Sequence, residues 1–148
     1  MSTNAGAVAT DLRNTADRVK DAARKLMHRS AARIVAQAKI NAPRDKWNLE
    51  ESIRIERSYV GPFGRLQIRI IAGGMVNGVN VDDYAALVHE HYDYVTRVNG
   101  PGEGTREKMA EYPQATIGGK FLSRAAEQED EKLALRMISE ITSVLPKG

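Results

Sequence analysis

The chain has 148 residues, 28% of them charged, with a formal net charge of +3 and no cysteine. That length suits one domain with one core, and the lack of cysteine excludes disulfides, thiolate metal sites and cysteine nucleophiles, leaving stability to packing or to assembly. No run approaches the ~18 apolar residues of a membrane span, and Met1 to Thr10 lacks the basic and hydrophobic regions of a signal peptide, so a soluble protein made in the cytoplasm is expected.

The charges are unevenly placed. Residues 1–48 hold ten Lys/Arg against four Asp/Glu, whereas residues 49–148 hold twelve against fifteen. Opposite signs of this kind can orient subunits head to tail or set a basic face against a phosphate backbone; a solvated helix face is the plainer reading.

Residues 1–6 are expected to be disordered. From Ala7 to Asn41 the residues Val8, Leu12, Ala16, Val19, Ala23, Leu26, Met27, Ser30 and Ile34 fall on one side of a 3.6-residue period, with Asp17, Arg18, Asp21, Arg24 and Lys25 opposite. This predicts a long amphipathic helix that Pro43 ends, because the residue before a proline is pushed out of the α region. Its apolar side is rich in alanine, which permits close approach of a neighbour but buries little area per residue.

After a polar turn from Arg44 to Asn48, the segment Leu49-Glu50-Glu51-Ser52-Ile53 opens a β-hairpin. Ile53, Ile55 and Tyr59 alternate with polar residues, Leu66, Ile68 and Ile70 repeat the pattern, and Gly61-Pro62-Phe63-Gly64 supplies the turn. Both strands are read as half-buried. Asn77-Gly78 is the signal for a short second hairpin.

Asp82 or Asp83 is placed to cap a short helix with Tyr84, Leu87 and Val88 on its apolar side, followed by an extended stretch from Tyr92 to Val98. Residues 99–119, beginning with Asn99-Gly100-Pro101-Gly102-Glu103-Gly104, read as a flexible loop. Ser123 is placed to cap a last helix whose buried stripe is Ala126, Leu133, Met137, Ile141 and Val144, with Glu127, Glu129, Asp130 and Glu131 suited to the positive end of its dipole. The expected fold is α+β, a long N-terminal helix and a C-terminal helix packed on a small antiparallel sheet with irregular loops.

Candidate chemistry is sparse. His89-Glu90-His91 would need an extended backbone for both rings to share a face, and no third metal ligand is evident. Gly104-Thr105-Arg106 lacks the lysine of a phosphate loop, and the adjacent pairs Glu50-Glu51 and Asp82-Asp83 suit strand entry and capping better than acid–base work. No catalytic, cofactor or metal site is assigned, and no enzyme is expected. Arg13, Arg18, Arg24, Lys25, Arg29 and Arg33 along the first helix support an alternative, a small basic DNA-binding module acting through that helix, although Asp17 and Asp21 interrupt the stripe.

The order of motifs is more specific than any one of them. A helix ending in Ala42-Pro43 is followed by Leu49-Glu50-Glu51-Ser52-Ile53, a hairpin, Tyr84-Ala85-Ala86-Leu87-Val88-His89-Glu90, and Lys120-Phe121-Leu122-Ser123-Arg124-Ala125. Over roughly residues 20 to 145 this resembles the tail-completion or head-tail connector proteins of long-tailed bacteriophages, the neck and minor tail components. Departures from that pattern are Asp45-Lys46-Trp47-Asn48 after the Ala-Pro turn, His91-Tyr92-Asp93 after the glutamate, and Lys120 before the phenylalanine. The resemblance implies a structural virion protein without turnover or cofactor. It implies a cyclic homo-oligomeric ring in the neck that joins the head to the tail or completes the tail, touching adjacent neck, connector or tail-tube proteins. Non-specific contact with channel DNA is part of that picture, and a membrane is not. The interface candidates are Arg24, Lys25 and Arg29, as a subunit contact or channel lining, Trp47, as an exposed anchor or a partly buried hinge plug, and Tyr84, Glu90 and Phe121 in the motif segments.

Overall fold

The computed structural model describes residues 4–44 and 48–147. Helix α1 runs from Asn4 to Asn41 and a one-turn helix α2 from Asn48 to Ser52. Strands β1 (Arg54–Val60) and β2 (Leu66–Ile71) pair antiparallel, as do the two-residue strands β3 (Met75–Val76) and β4 (Val79–Asn80). Helices α3 (Asp82–Val95), α4 (Glu103–Glu111) and α5 (Phe121–Val144) complete the chain. The α+β class holds, with both hairpins in sequence order, but the sheet is two separate ribbons.

The core lies where the C-terminal half of α1 meets α2, α3 and the start of α5. Ala38 and Ala42 of α1, Leu49, Ile53, Val81, Ala85, Val88, Phe121 and Ala125 form one buried cluster. Alanines on α1 allow this close approach, and the bulk comes from Phe121 and Ile53, both fully buried. The motif residues of the sequence are therefore largely core residues. Ser52 explains its own place in the pattern, because its hydroxyl donates to the Leu49 carbonyl at 2.6 Å and accepts the Gly73 N–H at 3.1 Å. It thus locks the hairpin entry to the turn beyond β2.

Several expectations are corrected. The backbone is helical from Asn4, so residues 4–6 belong to α1. Leu49 to Ser52 forms a helix rather than strand entry, with Glu50 and Glu51 in its first turn. Strand β1 is exposed along its whole length. A bulge between Ile55 and Arg57 also inverts the alternation, so Ile55 pairs with Ile70 while Tyr59 pairs with Gln67 on the opposite face. The face carrying Leu66, Ile68 and Ile70 is half-buried and turns toward α1.

Tyr92 to Val95 continues α3 past a kink at His91 (φ −131°, ψ 39°) instead of extending. The expected loop over 99–119 contains α4, which is formed of polar residues and held by buried Thr105 and Lys108 rather than by an apolar stripe. Helix α5 starts at Phe121, preceded by Lys120 in the left-handed region, so Ser123 lies inside the helix and caps nothing. Asp82 and Asp83 sit in the first turn of α3 without capping it; Asp82 accepts the Gly74 N–H at 2.8 Å.

Helices α1 and α5 run antiparallel, and a buried carboxylate fastens them. Glu129 accepts from Ser30 at 3.1 Å, Arg33 at 2.9 Å and Arg136, and Arg29 pairs with Glu140 at 2.7 Å further along. Burial pushes the Glu129 pKa up, but the hydrogen bonds from Arg33, Arg136 and Ser30 outweigh it and hold it below the ordinary carboxylate value. Since the folded pKa is the lower one, this contribution to stability is present above the ordinary glutamate value and is lost as pH falls through the folded value. Glu129→Gln should therefore lower the melting temperature at neutral pH and flatten its fall in acid. Parallel pH profiles for variant and parent would show that Glu129 is not held in this way.

Candidate assembly surfaces

The residues expected to form an interface are scattered by the fold. Phe121 is fully buried, its ring edge-on to His89 at 4.8 Å, so it is a core anchor and presents no surface. Trp47 lies outside the described residues. Arg24 donates to the Gly64 carbonyl at 3.3 Å, tying the tip of the β1–β2 hairpin to α1, while Lys25 is exposed. Arg29 is committed to Glu140, and Arg33 to Glu129. Tyr84 is half-buried and lines an open, mostly apolar groove with Pro43, Leu49, Leu87, Val88 and Val95.

Glu90 is exposed and bridges Lys120 and His89, the latter at 2.7 Å. The hydrogen bond from Lys120 and that from His89 hold its pKa below the usual value. His89 also meets Ser123 at 3.4 Å, so serine, histidine and glutamate come together as the sequence did not reveal. The serine contact is at the limit of hydrogen bonding, and the second Glu90 oxygen is engaged by Lys120. The cluster works as a clasp between α3 and the start of α5. His91 falls at the helix kink, and among the described residues no group of three or more His, Asp or Glu is placed to hold a metal ion.

A larger polar constellation escaped sequence reasoning. Lys108 of α4 is 1% exposed. Its ammonium donates to the Lys39 carbonyl, to the Ala42 carbonyl at 2.6 Å and to Glu50 Oε1 at 2.8 Å. Arg44 joins the same Glu50 oxygen at 2.9 Å and reaches Glu111 at 3.1 Å, and its backbone N–H donates to Thr105 Oγ1 at 2.9 Å. Burial lowers the Lys108 pKa and the charge of Arg44 adds to that, partly offset by Glu50 and Glu111. The glycine run has its purpose here as well: a Cβ on Gly104 would overlap the Arg44 carbonyl oxygen, so glycine is required for α4 to approach. The sequence signal was a lysine in a segment without apolar periodicity, which does not distinguish a buried cation from a solvated one.

Among the described residues, exposed large apolar side chains include Tyr94, Val98, Leu135 and Ile138, and two further surfaces combine such exposure with a regular element. Residues 4–14 of α1 are exposed all round, including Val8 at 55% and Leu12 at 66%. The other is the β1–β2 hairpin, whose tip carries Phe63 with its ring in water. Among the described residues no helix is long and apolar enough to cross a membrane.

The model of the HK97-gp10-like family, described as "Bacteriophage HK97-gp10, putative tail-component", matches residues 6–90, more than half of the chain. No curated protein and no solved structure matches. The matched region takes in α1, both hairpins and most of α3, which include the core residues Ala38, Ala42, Leu49, Ile53, Val81, Ala85 and Val88.

Two substitutions test the polar constellation. Lys108→Ala should cost about 3–5 kcal/mol in denaturant unfolding, because Glu50 and the α1 carbonyls lose a buried partner; a loss under about 1 kcal/mol would show that the ammonium is dispensable. Gly104→Ala should lower the melting temperature by several degrees through the Arg44 clash, and an unchanged value would mean that α4 shifts freely.

Proposed function

The chain belongs to the HK97-gp10-like family of bacteriophage tail components and is a structural tail protein; from that premise we propose that several copies close into a ring in the neck, joining the head to the tail or completing the tail. The observation that carries the reading is the N-terminal part of α1. Val8 and Leu12 continue the stripe that Leu26 and Ser30 bury further along, yet they remain in water. An exposed single helix of three or four turns is marginal by itself, and an amphipathic one gains most of its stability from a surface that covers its apolar side.

A heterologous contact, in which this arm lies on the next copy and receives nothing in return at the same place, generates a ring when the rotation closes. Lys25, exposed further along α1, is available for a polar contact, and adjacent neck or tail-tube proteins would stack on the ring faces. No turnover and no cofactor is required for this work.

Sedimentation velocity on the full chain over a concentration series tests the proposal, with Val8→Asp/Leu12→Asp beside the parent. The parent should reach a discrete multimer and the variant should remain monomeric with the cooperative thermal unfolding of the subunit unchanged, since neither side chain is buried within it. A variant that assembles like the parent would refute the role of the arm. If the parent is itself monomeric, complementation of a phage lacking this protein decides: the variant must fail to restore joined particles, and full restoration would overturn the proposal.

A further inference from the structure

We infer that the outer face of the β1–β2 hairpin, with Arg57, Arg65 and Arg69 around its tip, is a contact surface for the phosphate backbone of duplex DNA. The inference deepens the reading above and rests on it for one point, that a tail component meets duplex DNA.

Charge is the first observation. Residues 54–71 carry Arg54, Arg57, Arg65 and Arg69 against Glu56 alone, while the rest of residues 49–148 carries eight Lys/Arg against fourteen Asp/Glu. The hairpin is thus a basic island in the acidic part of the chain. Arg54 is structural, donating to the Ser52 and Gly73 carbonyls at 2.8 and 2.7 Å, and closes the base of the ribbon. The other three arginines are exposed.

Register is the second. Arg57 lies directly opposite Arg69, with Tyr59 opposite Gln67 on the same face. Like charges directly opposite each other destabilise a strand pair, so this face carries a cost that an anion would relieve. Arg69 retains one partner in the strand, Glu56 at 3.2 Å, and Arg57 lies over the Tyr59 ring at 5.0 Å from its centroid. On the opposite face Leu66, Ile68 and Ile70 of β2 are half-buried and turn toward α1, whereas Arg57, Arg69, Tyr59 and Gln67 all lie exposed on the arginine face.

The tip is the third. Phe63 adopts a left-handed backbone (φ 64°, ψ 20°), unusual for a bulky residue, and is fully exposed between Pro62 and Gly64. Arg24 fixes that tip on α1 through the Gly64 carbonyl. All the cations of the ribbon are arginines, whose planar forks match phosphate oxygens, and a two-stranded ribbon is narrow enough to follow a groove of B-form DNA.

The test is fluorescence anisotropy with a labelled duplex of about 20 base pairs over a salt series. The parent should bind in a salt-dependent way. Arg57→Gln/Arg65→Gln/Arg69→Gln should reduce the slope of log affinity against log salt by about 2 to 3 and weaken binding at least tenfold at low salt. The matched removal of three charges elsewhere, Arg97→Gln/Lys132→Gln/Lys147→Gln, should change affinity less than threefold, and the triple lysine variant of the hairpin, which keeps the charges but loses the forks, should keep the salt slope while binding more weakly than the parent. Absence of binding by the parent at low salt, or equal losses in both glutamine variants, would overturn the inference. So would displacement of the duplex by polyglutamate at equal charge concentration, which would assign the face to an acidic protein. Sedimentation of the hairpin variant separates the two proposals: it should assemble as the parent does, and joint loss of assembly and binding would make these arginines a subunit contact instead.

Discussion

A buried ammonium sets the geometry on which the rest of the molecule depends. The last carbonyls of a helix have no partner within it, and those of α1 point into a region where Ala42 and Pro43 are themselves buried, so water does not satisfy them. Lys108, more than sixty residues further along the chain, donates to the Lys39 carbonyl in the last turn of α1 and to that of Ala42 just beyond it, at the end of the helix dipole where a cation is favoured. An unpaired ammonium at 1% exposure would be prohibitive, and Glu50 on α2 removes that penalty while Arg44 and Glu111 complete the charge balance. The positions of α1, α2 and α4 are consequently fixed by one another. Hydrophobic packing then adds α3 and α5 to a frame whose angles polar contacts have set.

That frame divides α1 into two parts with different fates. From Ala22 onward the helix is lined by buried residues and two of its cations are consumed by α5, Arg29 by Glu140 and Arg33 by Glu129, while Arg24 holds the hairpin tip and Lys25 stays exposed. Before Ala22 its side chains face water or are only half-covered. A continuous helical period in the sequence does not reveal this division, because periodicity reports which side of a helix is apolar and not where along the axis a partner ends. The stripe from Val8 to Ile34 was legible; its exhaustion where α5 stops was not.

The same distinction between local pattern and tertiary placement runs through the other elements. Strand content and both turns were legible because Gly-Pro and Asn-Gly chemistry is local. The β1 bulge was not, since it arises from pairing with β2 and reverses the faces after Ile55. Helix α4 was missed because it has little apolar stripe and is stabilised by Thr105 and Lys108 reaching into α1 and Arg44. Phe121 was recognised as important within its motif but given a surface role, and its burial shows that a residue marking a fold by resemblance often does so through the core. The Ser123–His89–Glu90 clasp joins α3 and α5 across 34 positions and leaves no trace in spacing.

The charge division seen in the sequence also acquires a different meaning in three dimensions. Opposite signs in residues 1–48 and 49–148 suggest attraction between subunits, yet much of that attraction is satisfied within the chain through Arg29–Glu140, Arg33–Glu129, Arg44–Glu50 and Arg44–Glu111. What remains on the exposed first half of α1, before Ala22, is balanced, since Asp11, Asp17 and Asp21 are interleaved with Arg13, Arg18 and Lys20. The surfaces left for partners are then of two kinds: a mixed-charge arm with an apolar stripe, suited to another protein surface, and an arginine ribbon with little acidic relief, suited to an anion. Self-pairing of the first kind loses nothing to salt in its apolar part, whereas the second is screened within about 10 Å at 0.1 M salt. Ionic strength therefore separates the two surfaces physically, even though both are anchored on the same helix.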